Sequence, residues 1–158
     1  MIARFRPASL LGAAFALMLA MPASAQPKGA PAAAVTCDIL EITATSGKDA
    51  SVAPELQKLQ KKFKKPPFSS WNQFKLMMSD SRALKAKQTE TINLKLGSAT
   101  ATLVEIVDTS KVRLMVTIAD ASGKQIVNNK STVEAGDYLV YGHSLPNNDG
   151  HLLALTCR

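Results

Sequence analysis

The stretch KVRLMVTIA, residues 111–119, decides the fold. Val112, Leu114, Val116 and Ile118 share one face of an extended chain, and Arg113, Met115 and Thr117 share the other. Strict alternation marks a half-buried strand, because successive side chains of a strand point to opposite faces. Turn chemistry brackets the stretch on both sides, DTSK at 108–111 and DASGK at 120–124. Working outward, the same period places Ile92, Leu94 and Leu96 on one face, and Phe74, Leu76 and Met78 together on one face of an earlier strand. Further turn signals stand at LGS (96–98), EAGD (134–137) and PNNDG (146–150). These intervals leave no room for the crossover that parallel pairing needs, so sequence neighbours pair antiparallel. KQIVNNKSTV, 124–133, is the least apolar strand, and its lysines suit a sheet edge.

Upstream, CDILEITAT from Cys37 is rich in β-branched residues and reads as the first strand. SGKDAS breaks it, and PELQKLQKKF follows as the one helix. Pro54 suits a first helical position and Glu55 complements the positive helix end. Leu56, Leu59 and Phe63 make a single apolar stripe, and Pro66-Pro67 ends the helix. The expected class is therefore mainly β: an antiparallel β-sandwich, or a small open barrel, of about seven to eight strands, with one short amphipathic helix inserted after the first strand.

The ends of the chain speak to location. Met1–Ala25 has the form of a secretory signal: Arg4 and Arg6, an apolar run from Leu10 to Met21, and small residues at Ala23-Ser24-Ala25. The apolar run is too short to span a bilayer, which leaves no transmembrane segment after cleavage. Loss of Arg4 and Arg6 removes two of the seven net positive charges. Residues 26–34, QPKGAPAAA, form a flexible leader, and 35–158 a single β-rich domain. Periplasmic or secreted localisation follows. In such an oxidising compartment the two cysteines, Cys37 and Cys157, are expected to form a disulfide. It closes nearly the whole domain, so the first and last strands must lie side by side or face each other.

KKFKKPPFSSWNQFK, 61–75, is the most distinctive segment, with four aromatics among five lysines. Phe63 and Phe74 are in register with the apolar faces of their elements, so the aromatics seal the joint between helix and sheet. Lys58, Lys61, Lys62 and Lys65, with Trp71, make the candidate interaction surface, a local positive field with few acidic neighbours. Its expected partner is an anionic envelope component or an acidic exported protein; export argues against nucleic acid. Within this segment Phe68, Ser69, Ser70, Trp71, Phe74, Lys75 and Leu76 resemble a group of small exported bacterial proteins of unknown function. Those join a first strand and a basic helix through a Phe-Ser-Ser-aromatic segment to a β-meander. The resemblance extends over Cys37 to Cys157 and implies the fold and export, but no activity.

No nucleophile elbow, HExxH metal motif or Gly-rich phosphate loop is present, which predicts neither catalytic residues nor a cofactor. A non-catalytic exported binding protein is the function expected. The alternative is a small metal-dependent hydrolase built on His143, His151 and Asp149. A five-residue loop in YGHSLPNNDGHLL would set those histidines diagonally on one face.

Overall fold

The computed structural model describes residues 33–158. The signal sequence expected over 1–25 lies outside the described residues, as does most of the leader; Ala34, its last residue, already belongs to a strand. Nine strands follow: β1 (Ala34–Thr45), β2 (Ser51–Val52), β3 (Gln73–Lys85), β4 (Thr89–Leu94), β5 (Gly97–Ile106), β6 (Lys111–Ala119), β7 (Gln125–Glu134), β8 (Leu139–Ser144) and β9 (Gly150–Cys157). They form two sheets, one ordered β2-β3-β1-β9-β8 and one a meander, β4-β5-β6-β7. The fold is an open β-sandwich, and β7, the least apolar strand, lies at the edge of its sheet.

Alternation on β6 is complete, with Val112, Leu114, Val116 and Ile118 all buried. They meet Ile39, Leu84, Leu153 and Leu155 from the facing sheet in the inter-sheet core. The five-stranded sheet is buried on its other face too. There Leu40, Ile42, Leu152 and Ala154 pack under Leu56, Leu59 and Phe63 of the helical segment. Every residue of β9 is accordingly buried, because this central strand is covered on both sides. The short turns are stabilised locally. Asp108 accepts from Ser110, and Asp120 from Ser122 and Lys124, and these bonds lower both carboxyl pKa values below the ordinary range.

Three features differ from the alternation and helix expected. β3 carries a bulge: its register against β1 slips between Glu41 and Ile42, leaving Met77 without a partner. An extra residue inverts the facing of all that follow. Phe74 and Leu76 therefore point to the helical layer, whereas Met78 and Leu84 point into the inter-sheet core. The helix is a 3₁₀ segment, Pro54–Leu59, running into a single α turn, α1 (Gln60–Phe63). A 3₁₀ turn stacks residues three apart, which aligns Leu56 with Leu59, and the wider α turn brings Phe63 into line four residues later. Finally, Ser51–Val52 pairs parallel with Gln73 and Phe74, the helical segment itself serving as the crossover.

Cys37 and Cys157 are bonded and directly opposed on β1 and β9. Thr36 and Arg158 exchange both backbone hydrogen bonds, at 3.0 and 2.8 Å. The cysteines thus occupy the neighbouring non-hydrogen-bonded pair, where strands approach most closely, and their Cα atoms are 4.0 Å apart. A formed disulfide fits a protein outside the reducing cytoplasm. Among the described residues no helix is long and apolar enough to cross a membrane.

Candidate functional site

The basic segment is fastened from beneath. Leu56, Leu59 and Phe63 are essentially buried, and the Phe63 ring stacks on Phe74 with centroids 4.0 Å apart. Lys58, Lys61, Lys64 and Lys65 are left exposed above that base. Lys62 is not free, contrary to the expectation of unpaired lysines: its Nζ lies 2.9 Å from Asp137, which precedes β8. That bond holds the Asp137 carboxyl below its ordinary pKa. Lys58 faces a separate small cavity with Asp38, Tyr138 and Arg158. The expected surface therefore divides. Lys58 and Lys62 attend to the β7–β8 connection, and Lys61, Lys64 and Lys65 make no ion pair among the described residues.

Trp71 sits elsewhere, at the seam between this segment and the β8–β9 hairpin. Its indole Nε1 donates to the Asn148 carbonyl at 2.8 Å. The ring lies against Gly150, where a Cβ would come within 2.8 Å of it, so only glycine fits beneath. Phe68, half-buried, approaches Gly142 of β8 in the same way. These contacts confirm the aromatics as the seal of the joint. Trp71 also borders two separate cavities. One, of about 420 Å³, is lined with Phe68, Ser46, Ser70, His143, Ser144 and Asn148; the other, of about 310 Å³, with the apolar Val52, Phe63 and Phe74 together with Gln60, Lys64, Ser69 and Asn72. Lys64, absent from the expected site, is the cation that reaches this groove. Mixed 3₁₀ and α rotation obscured its direction in the sequence.

A second polar cluster lies inside the sandwich. Glu41 is fully buried on β1, between Ile39 and the bulge. Its carboxylate accepts from the backbone N–H groups of Lys95 and Leu96, at 2.8 and 3.0 Å, in the turn joining β4 to β5. His151 Nε2 completes the set at 2.9 Å. Nε2 is the donor to this carboxylate, and the ring's Nδ1 is buried without a partner. His143 packs edge-on against it, centroids 5.1 Å apart, and its own Nδ1 is likewise unpartnered. Burial, and then His151, push the His143 pKa below the ordinary histidine value, with Asp120 opposing.

The expected His143, His151 and Asp149 set does not converge. His143 and His151 are directly opposite rather than diagonal, because the hairpin closes at Ser144 and Gly150 and the loop is Leu145–Asp149. Gly150 belongs to the strand, under Trp71, and not to the turn. Asp149 accepts from Asn147 within the loop at 2.7 Å. The carboxylate that meets His151 is Glu41, distant in sequence. Among the described residues no group of three or more His, Cys, Asp or Glu side chains is placed to hold a metal ion. No family model matches the chain, and no curated protein or solved structure is significantly similar to it.

Proposed function

We propose that this chain is a non-catalytic binding protein, exported to the periplasm or beyond the cell, whose basic helical segment docks an anionic partner. The partner class is an anionic envelope component or an acidic exported protein. One observation carries the proposal: Lys61, Lys64 and Lys65 are exposed, with no ion pair among the described residues, on a segment whose other side is locked into the core through Leu56, Leu59 and Phe63. Like charges on one short segment repel one another, and the buried side of the segment fixes where it sits, so their positive field falls at one place. An anionic surface relieves that repulsion.

Charge reversal tests it. The triple variant Lys61→Glu, Lys64→Glu, Lys65→Glu is expected to fold normally, since exposed substitutions usually change stability by no more than about 0.5 kcal/mol each. Retention of the wild type on anionic vesicles or on an acidic polysaccharide matrix is expected to weaken steeply above ~0.15 M salt, as screening sets in. Retention that survives both reversal and salt would place the binding surface elsewhere.

A further inference from the structure

The two cavities that Trp71 borders have a composition the lysines alone do not account for. We infer that this groove is a binding site for an acidic saccharide unit, with Trp71 as its aromatic wall and Lys64 as its counter-charge. The inference rests on the basic-segment reading above and names the chemistry of its ligand. Four observations support it.

The first is shape. Cavities of about 420 and 310 Å³ lie within the roughly 300–1,000 Å³ range of small-ligand sites. The second is the wall. Trp71 borders both cavities and is fixed by its Asn148 bond and by Gly150, so ordering it on binding costs little. An indole presents an apolar face to the C–H side of a sugar ring, the amphipathic contact that suits Trp to surfaces with one wet side. The third is the rim. Ser69 in the cavity of Lys64, and Ser144 and the Asn148 side-chain amide in the other, engage in no side-chain hydrogen bonds among the described residues, which leaves hydroxyl and amide groups on either side of Trp71 to pair with sugar hydroxyls. The fourth is charge: Lys64 lines the smaller cavity with Trp71 and makes no ion pair among the described residues, and a carboxylate or phosphate on the sugar would meet it.

The geometry also opposes the nearest competitor, insertion into a lipid interface. Interfacial aromatics extend outward from a surface, but here the indole N–H is satisfied internally and Phe68 packs under the hairpin. Both rings face protein before they face solvent.

Trp71 is the sole tryptophan, so its emission reports directly on the groove. The full exported chain is titrated with a galacturonic acid trimer, with the uncharged galactose trimer, and with vesicles containing anionic phospholipid. A saturable change in Trp71 emission with the acidic trimer alone is the expected result. Lys64→Gln is expected to weaken it by about tenfold, the loss of one charge-assisted hydrogen bond. Lys61→Gln and Lys65→Gln, outside the groove, should change it by less than about threefold on the same scale. Binding of the acidic trimer, detected by calorimetry, with Trp71 emission unchanged would overturn the groove assignment and leave the basic-segment proposal standing. An equal response to the neutral trimer, insensitive to Lys64→Gln, would overturn the acidic specificity. A Trp71 blue shift with vesicles and none with the trimer would replace the saccharide with a membrane. Absence of binding to the trimer, an acidic polymer and vesicles alike would remove both proposals together.

Discussion

At the scale of single residues, the demanding positions are Glu41, Gly150 and His143. Glu41 ties β1 to the β4–β5 turn and to β9 through three hydrogen bonds, all made inside the protein. Glu41→Ala strands two backbone donors and an imidazole N–H, each worth about 1–3 kcal/mol when buried and unpaired. A loss of at least about 3 kcal/mol in urea unfolding is expected, with Glu41→Gln milder because its carbonyl still accepts. Gly150→Ala forces a methyl against the Trp71 ring. It should cost about 1–3 kcal/mol as overpacking does, and shift tryptophan emission to the red as the seal loosens. His143 supplies a pH dependence. Its native pKa is depressed, so the unfolded chain takes up a proton that the folded chain refuses, and stability rises with pH in that window. The groups facing it are His151 on β9 and Asp120 at the β6–β7 turn, with Glu41 behind His151. The urea midpoint is expected to be full above the ordinary histidine range and to fall as pH drops through the native value. His143→Phe should flatten that part of the profile; an unchanged slope would assign the dependence to another group.

At the scale of elements, the 3₁₀–α segment separates stability from charge. Its inner side is core. Leu59→Ala should cost about 2–5 kcal/mol and Phe63→Ala about 3–5, since each leaves a cavity over the five-stranded sheet. Its outer side is nearly neutral in stability, so glutamate at Lys61 or Lys65 should leave the urea midpoint almost unmoved. Lys62→Ala differs only slightly, because its pair with Asp137 is exposed and screened by solvent. A large destabilisation from any of these three changes would mean that the lysines hold the segment in place instead of decorating it.

At the scale of the molecule, the disulfide joins two adjacent central strands at one end of the sandwich, 120 residues apart in sequence. Its effect is chiefly on the unfolded chain, where closing so long a loop removes entropy worth close to ~5 kcal/mol. Reduction should therefore lower the urea midpoint substantially. The far-ultraviolet β signal should persist in the absence of denaturant, because the strands around the cysteines are held by their own hydrogen bonds and by both cores. Loss of the β signal on reduction alone would show that the two cores cannot sustain the fold.

The sandwich, its antiparallel hairpins, the edge position of β7 and the pairing of Cys37 with Cys157 were all legible in the sequence. Each depends on local alternation, turn chemistry or cysteine arithmetic, and these act within a few residues or through one covalent bond. Tertiary structure decided the rest. The bulge at Met77 left no mark in composition, yet it turned Met78 away from Phe74. The partner of Lys62 lies 75 residues away, and that of His151 110 residues away. Glu41 looks like any other acidic residue in a run of strand residues, because nothing local tells a buried carboxylate from a solvated one. Its role is set by where β9 and the β4–β5 turn arrive. The groove at Trp71 is likewise made by three elements meeting, and no one of them contains it.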